Sequence, residues 1–119
     1  MYFNKQIVDK TFAAGGSFMQ DRDKNYAISA GKRTAPGEAE IHGKDTDIFF
    51  VIDGTATIVT GGTVVDEKVI GPDEIRGSSI AGGSSTQLKK GELIVIPSGT
   101  PHWFQHVEGT FQYLVVKVR

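Results

Sequence analysis

The sequence predicts an all-β fold, a sandwich or barrel of short strands. Three observations carry this. Apolar residues come in short runs rich in β-branched and aromatic side chains, such as IFFVI at 48–52, rather than at the spacing of an amphipathic helix. Glycine is abundant, 15 of 119 residues, and it punctuates those runs. No window shows a sustained helical stripe, and residues 11–20 have room for a turn or two at most. Many short strands joined by frequent glycine turns make a sandwich or a barrel.

Taken in order, residues 1–25 read as an N-terminal arm or strands. Within them, residues 2–8 are a candidate edge strand able to pair across a dimer. Strand candidates follow at Tyr26–Arg33 and at 38–42. The run at 48–52 ends in Asp53-Gly54, a strong hairpin signal because both central positions of a type I′ turn need positive φ. The returning strand is 55–59, and Gly61-Gly62 then marks a second turn before 63–65. The segment GSSIAGGSS at 77–85 is low in complexity and reads as a mobile connection, or as a lid over a pocket. The last candidates are Leu93–Ile96, 102–106 and 111–118. In the final one Leu114, Val116 and Val118 share one face, and Val115 and Lys117 the other.

At 119 residues the chain is long enough for one domain with a real core. Thirteen basic and 14 acidic residues are interspersed for a formal net charge of −1, which leaves no basic face for nucleic acid. No apolar run approaches a membrane span, and the start MYFNKQIVDK lacks the apolar core of a signal peptide. There is no cysteine, which excludes disulfides, thiolate nucleophiles and cysteine-ligated zinc or iron–sulfur clusters, and which is compatible with a cytoplasmic protein. Phosphate-binding glycine loops and the Gly-x-Ser-x-Gly nucleophile turn are absent too. Any metal here needs histidine and oxygen ligands.

Two stretches carry chemistry. In GELIVIPSGTPHWFQH, residues 91–106, Gly91, Pro97, Gly99 and His102 stand at the spacing of the second cupin motif without a mismatch. Pro97 and Gly99 turn the chain tightly, so His102 opens a strand. Upstream, Glu40, His42, Asp47 and Gly54 match the spacing of the first cupin motif, with Glu40 where a histidine is usual and Asp47 where glutamate is usual. On these motifs the chain resembles the cupin superfamily over roughly residues 26–118. The resemblance implies a single cupin domain over 1–119, a β-barrel of the double-stranded β-helix or jelly-roll type. It also implies a site inside one end of the barrel and, by default, a homodimer.

Carried over by position, the ligands of a divalent metal ion, iron, manganese, zinc or nickel, are Glu40, His42, Asp47 and His102. Independently of the resemblance, Glu40 and His42 stand two apart on one strand and share a face, and two imidazoles with one or two carboxylates suit such an ion. Aspartate reaches about 1.5 Å less far than glutamate. If Asp47 does not reach, Glu40, His42 and His102 form a triad of two histidines and one carboxylate with open positions. Glu38 is an outside candidate on the same face. The plainer alternative gives Asp47 to the turn at 43–47 and Glu40 to the surface.

Regular alternation turns His106 inward with His102, where its near-neutral pKa suits a general acid or base; otherwise it is a histidine at a strand end. Tyr26, Arg33 and Arg76 are candidates to meet an anionic substrate if they face the cavity. The resemblance implies a metal-dependent enzyme acting on a small organic molecule, a dioxygenase or an isomerase or lyase. The alternative is a non-catalytic cupin that binds a small ligand.

Overall fold

A computed structural model describes residues 1–20 and 23–119. Among them are one helix, α1 (Lys5–Ala14), and eleven strands. The strands are β1 (Gly16–Gln20), β2 (Tyr26–Arg33), β3 (Ala39–His42), β4 (Thr46–Thr60), β5 (Thr63–Val65), β6 (Lys68–Gly71), β7 (Glu74–Gly77), β8 (Ser79–Ala81), β9 (Ser84–Leu88), β10 (Leu93–Ile96) and β11 (His102–Val118). Every pairing among them is antiparallel. The fold is an all-β jelly roll. No helix among the described residues is long and apolar enough to cross a membrane.

The spine of the barrel is β4 against β11, paired from Thr46↔Val118 to Thr60↔His102 with three register shifts between. β2 flanks the second half of β11 and continues to β1. β3 meets β11 at His102↔Glu40 and leads on to β7 and β6. β10 and β9 flank the two halves of β4. The core lies between, formed by Phe49, Val51, Ile58, Leu88, Ile96, Phe104, Phe111, Tyr113 and Val115. A smaller cluster of Ala39, Val59, Val64 and Ile80 closes the side where β5 pairs β8.

Three local expectations change. Asp53-Gly54 is no hairpin: only Gly54 takes positive φ (86°), and the chain runs straight on through a single strand. Tertiary pairing with β11 overrides the turn signal. The β11 register slips opposite it, and an added Cβ on Gly54 would stand 2.4 Å from the Thr110 carbonyl oxygen. Gly54→Ala is therefore expected to cost about 2 kcal/mol or more of stability, measured by urea unfolding. An unchanged midpoint would show that this bend does not need glycine.

The 77–85 segment is not a loop or lid but contributes β8 and the first two residues of β9, each strand paired with a partner. The N-terminal edge strand at 2–8 is replaced by α1, which begins earlier than the turn or two expected at 11–20. Asn4 caps α1, its side-chain oxygen accepting from the Ile7 N–H at 2.9 Å. Gly15, φ 73°, ends it by donating to the Thr11 carbonyl. Lys5, Gln6, Lys10 and two alanines are good helix formers, and Phe12 packs edge-on against Phe18 of β1 at 5.6 Å.

Candidate metal centre

The strand register gathers the site. Glu40 and His42 lie on β3, His102 opens β11 beside Glu40, and Asp47 is the second residue of β4. His102 and Asp47 are 3% and 2% exposed, and His42 is buried. Glu40, His42 and His102 each offer a ligand atom, all within 4.8 Å of one another. His42 Nε2 stands 3.4 Å from Glu40 Oε2 and 3.3 Å from Asp47 Oδ2. His102 Nε2 stands 3.5 Å from each of those oxygens. Ligands bound to one ion at about 2.1 Å stand roughly 3.0–3.4 Å apart, so these separations suit a shared ion.

His102 supplies the sharpest sign of fit. Its Nδ1 lies 3.1 Å from the Thr100 carbonyl oxygen, an acceptor only, so Nδ1 carries the proton. That leaves the Nε2 lone pair facing the cluster, buried and without a hydrogen-bond partner among the described residues. His42 is oriented through its other nitrogen, Nδ1 being 2.8 Å from Glu74 Oε2. Glu74 is in turn held by Arg76 Nε at 3.0 Å, and Arg76 also pairs with Glu40 at 3.1 Å. A carboxylate behind a ligating histidine fixes its ring and raises its basicity. The donor set fits a divalent ion held by Glu40, His42 and His102.

Asp47 is shared differently. Its Oδ1 accepts from Lys117 Nζ at 2.8 Å, and Lys117 also lies 3.4 Å from His42 Nε2. The aspartate is thus neither a turn residue nor solvated, and Glu40 is no surface residue. Sequence reasoning missed Glu74, Arg76 as a partner of the histidine shell, and Lys117. Glu38 is exposed and stands apart from the cluster.

His106 does not turn inward. Its register on β4 slips by one after Phe104 (Phe104↔Ile58, His106↔Thr57), so Gln105 is an extra residue and alternation restarts. The His106 side chain is 62% exposed, with Glu108 Oε1 4.0 Å from its Nε2. Tyr26 also points away, while Arg33 enters the barrel.

In the metal-free protein the cluster neutralises itself. Burial opposes a charge on His42, but hydrogen bonding to Asp47, Glu40 and Glu74 outweighs it and pushes its pKa up to about 10. Burial likewise opposes charge on Glu40, yet His42 and Arg76 hold its carboxyl well below the usual range. His42 and Lys117 lower Asp47 against its burial in the same way. Stability from His42 is complete below its ordinary pKa near 6.5 and is lost as pH climbs toward 10. Stability from the two carboxylates is present above about 4 and is lost on acidification. Metal-free protein is therefore expected to be most stable between about pH 4.5 and 6.5, with urea midpoints falling on both sides. A midpoint flat from pH 6 to 9 would remove His42 as an internal cation.

Fold and cluster together define a cupin. The family model for cupins matches residues 35–119, and the chain belongs to that family. No functionally curated protein matches it in sequence. The structure is similar to hydroquinone 1,2-dioxygenase from Sphingomonas sp. TTNP3, solved with 4-hydroxybenzoate bound, at 15% identity and TM-score 0.64, covering 88% of this chain and 65% of that one. It is similar to protein NMB1881 from Neisseria meningitidis at 14% identity and TM-score 0.63 over 100% of both chains. DMSP lyase DddQ from Ruegeria pomeroyi DSS-3 matches at 16% identity and TM-score 0.63, covering 98% of this chain and 51% of the lyase. The chain therefore spans 65% of the dioxygenase and about half of the lyase, and at these identities the likeness is one of fold.

Proposed function

We propose that this cupin is a metal-dependent enzyme acting on a small organic molecule, as a dioxygenase or as an isomerase or lyase. The observation that carries the reading is the buried Nε2 of His102, aimed without a partner at a cluster whose other donors are His42 Nε2 and a Glu40 oxygen. The dioxygenase and lyase among the similar folds support both reaction types. A divalent ion held there supplies Lewis acidity, or dioxygen chemistry if it is iron. The chain supplies the rest. Glu74 and the Thr100 carbonyl hold the two imidazoles in place. Lys117 Nζ presents a hydrogen-bond donor at the mouth of the cluster. Phe49, Phe104 and Tyr113 form the aromatic wall of a cavity of about 210 Å³ next to it.

Elemental analysis of protein prepared without chelator or histidine tag tests this. Close to one equivalent of iron, manganese, nickel or zinc is expected, and the element found selects oxygen-uptake or Lewis-acid assays. No uptake even after soaking with each ion would favour the non-catalytic ligand-binding reading. One observation already speaks for that second reading: Lys117 and the His42 imidazolium balance the carboxylates without any ion.

A further inference from the structure

Arg33 is held by an aromatic ring and a phenol, and no carboxylate among the described residues forms an ion pair with it. It is half-buried on β2, and its guanidinium carbon lies 4.7 Å over the Phe104 ring. Its hydrogen bond to protein runs from Nε to the Tyr113 hydroxyl oxygen at 3.1 Å. No carboxylate among the described residues pairs with it, whereas Arg76 and Arg119 both have carboxylate partners. Gly37 gives the guanidinium room: a Cβ there would stand 2.5 Å from one terminal nitrogen. A half-buried cation without a directly paired carboxylate carries a desolvation cost, and this one is held by an aromatic face and a phenol, with space left by a glycine.

The same cavity of about 210 Å³ is lined by Arg33, Tyr113, Phe49 and Phe104, and by Glu40, Asp47, His102 and Lys117. Strand register separates the two ends. Arg33 pairs with Phe111, while Lys117 and Asp47 pair six residues further along β11. The two carboxylates and two cations of this lining cancel. A divalent ion in the cluster leaves two positive charges in excess. Burial pushes the Tyr113 pKa up, which keeps its phenol protonated. Its oxygen accepts from Arg33, and its proton has no acceptor among the described residues.

We propose that this cavity takes a small carboxylate, bound by the free edge of Arg33 and the Tyr113 hydroxyl, with the rest of the molecule lying along Phe49 and Phe104 toward the Glu40–His42–His102 cluster. The inference rests on the metal-site reading above and names its substrate class. Zinc-loaded full-length protein is titrated calorimetrically with benzoate, acetate and oxalate, and with benzamide, acetamide and oxamide as neutral counterparts. At least one carboxylate is expected to bind tenfold or more tighter than its amide. That preference should fall by tenfold or more in Arg33→Gln and be partly kept in Arg33→Lys, which retains the charge and guards against a mere loss of folding. Equal binding of acids and amides, no binding by any of the six, or a preference that survives Arg33→Gln would overturn the subsite. Survival would mean the acids simply coordinate zinc. Zinc content is measured in the same samples. Protein that takes up neither zinc nor iron, manganese or nickel overturns the metal reading and this inference with it, whereas zinc uptake with no role for Arg33 overturns the inference alone.

Discussion

Replacing His102 with alanine is expected to strip the protein of its metal, to below about a tenth of the wild-type content. Three donors form the candidate site, and His102 is the one whose lone pair has no other use: Nδ1 is committed to the Thr100 carbonyl, and Nε2 has no hydrogen-bond partner among the described residues. Removing it leaves a histidine and a carboxylate, too few to hold a divalent ion against water. His42→Ala should do the same. Glu74→Gln, which leaves the ligands intact and weakens only the contact behind His42, should lower affinity by roughly 10–100-fold. His106→Ala is the control: its exposed side chain lies outside the cluster, and metal content should not change. Metal retained in both His102→Ala and His42→Ala would remove the ligand assignment. Circular dichroism of the metal-free variants separates ligand loss from unfolding.

The cluster of Glu40, His42 and His102 was largely legible in the chain because its geometry is local. Gly91 and Gly99 take positive φ, 86° and 80°, and Pro97 lies between them, so the turn that aims His102 is written within a dozen residues. Glu40 and His42 needed only the two-residue period of a strand. What was not legible depends on register between distant strands. Glu74 reaches His42 and Arg76 reaches Glu40 because β7 pairs β3 as His42↔Glu74 and Glu40↔Arg76, and no local feature states that pairing.

Lys117 shows the same limit. The alternation that puts Val115 and Lys117 on one face of β11 is plain in the sequence. Which face is inward is not, since the opposite one carries three aliphatic residues. The barrel turns Phe111, Tyr113, Val115 and Lys117 inward and leaves Leu114, Val116 and Val118 half-covered outside. The misreadings at Asp53-Gly54, 77–85 and His106 share one cause. Turn and alternation signals are local, and the pairing of long strands overrode them, through a continuous β4, a paired β8 and β9, and a bulge at Gln105.

Lys117→Met is expected to tighten divalent-metal binding by tenfold or more while weakening the metal-free fold. The ammonium sits 2.8 Å from Asp47 Oδ1 and 3.4 Å from His42 Nε2, so it occupies one aspartate oxygen and repels an arriving cation. Unit charges 4 Å apart interact by about 4 kcal/mol at an effective dielectric of 20. The lysine side chain is 32% exposed and solvent screens part of this, which is why tenfold, not more, is the floor expected here. Without its partner, Asp47 is a buried carboxylate seeking a cation, and the metal is the one at hand. Asp47→Asn should therefore cost little affinity in the wild-type background and much more beside Lys117→Met. The coupling in this double-mutant cycle, read from metal titrations of all four proteins, measures how far Lys117 withholds Asp47 from the ion. Equal costs of Asp47→Asn in both backgrounds would mean that Asp47 never competes for the metal. Weaker metal binding in Lys117→Met would mean that the lysine shapes the cluster for the ion instead of standing in for it. Tighter binding with strong coupling would identify this lysine as the reason a shortened carboxylate persists at the fourth ligand position: it serves an internal cation first and a metal only when that cation leaves.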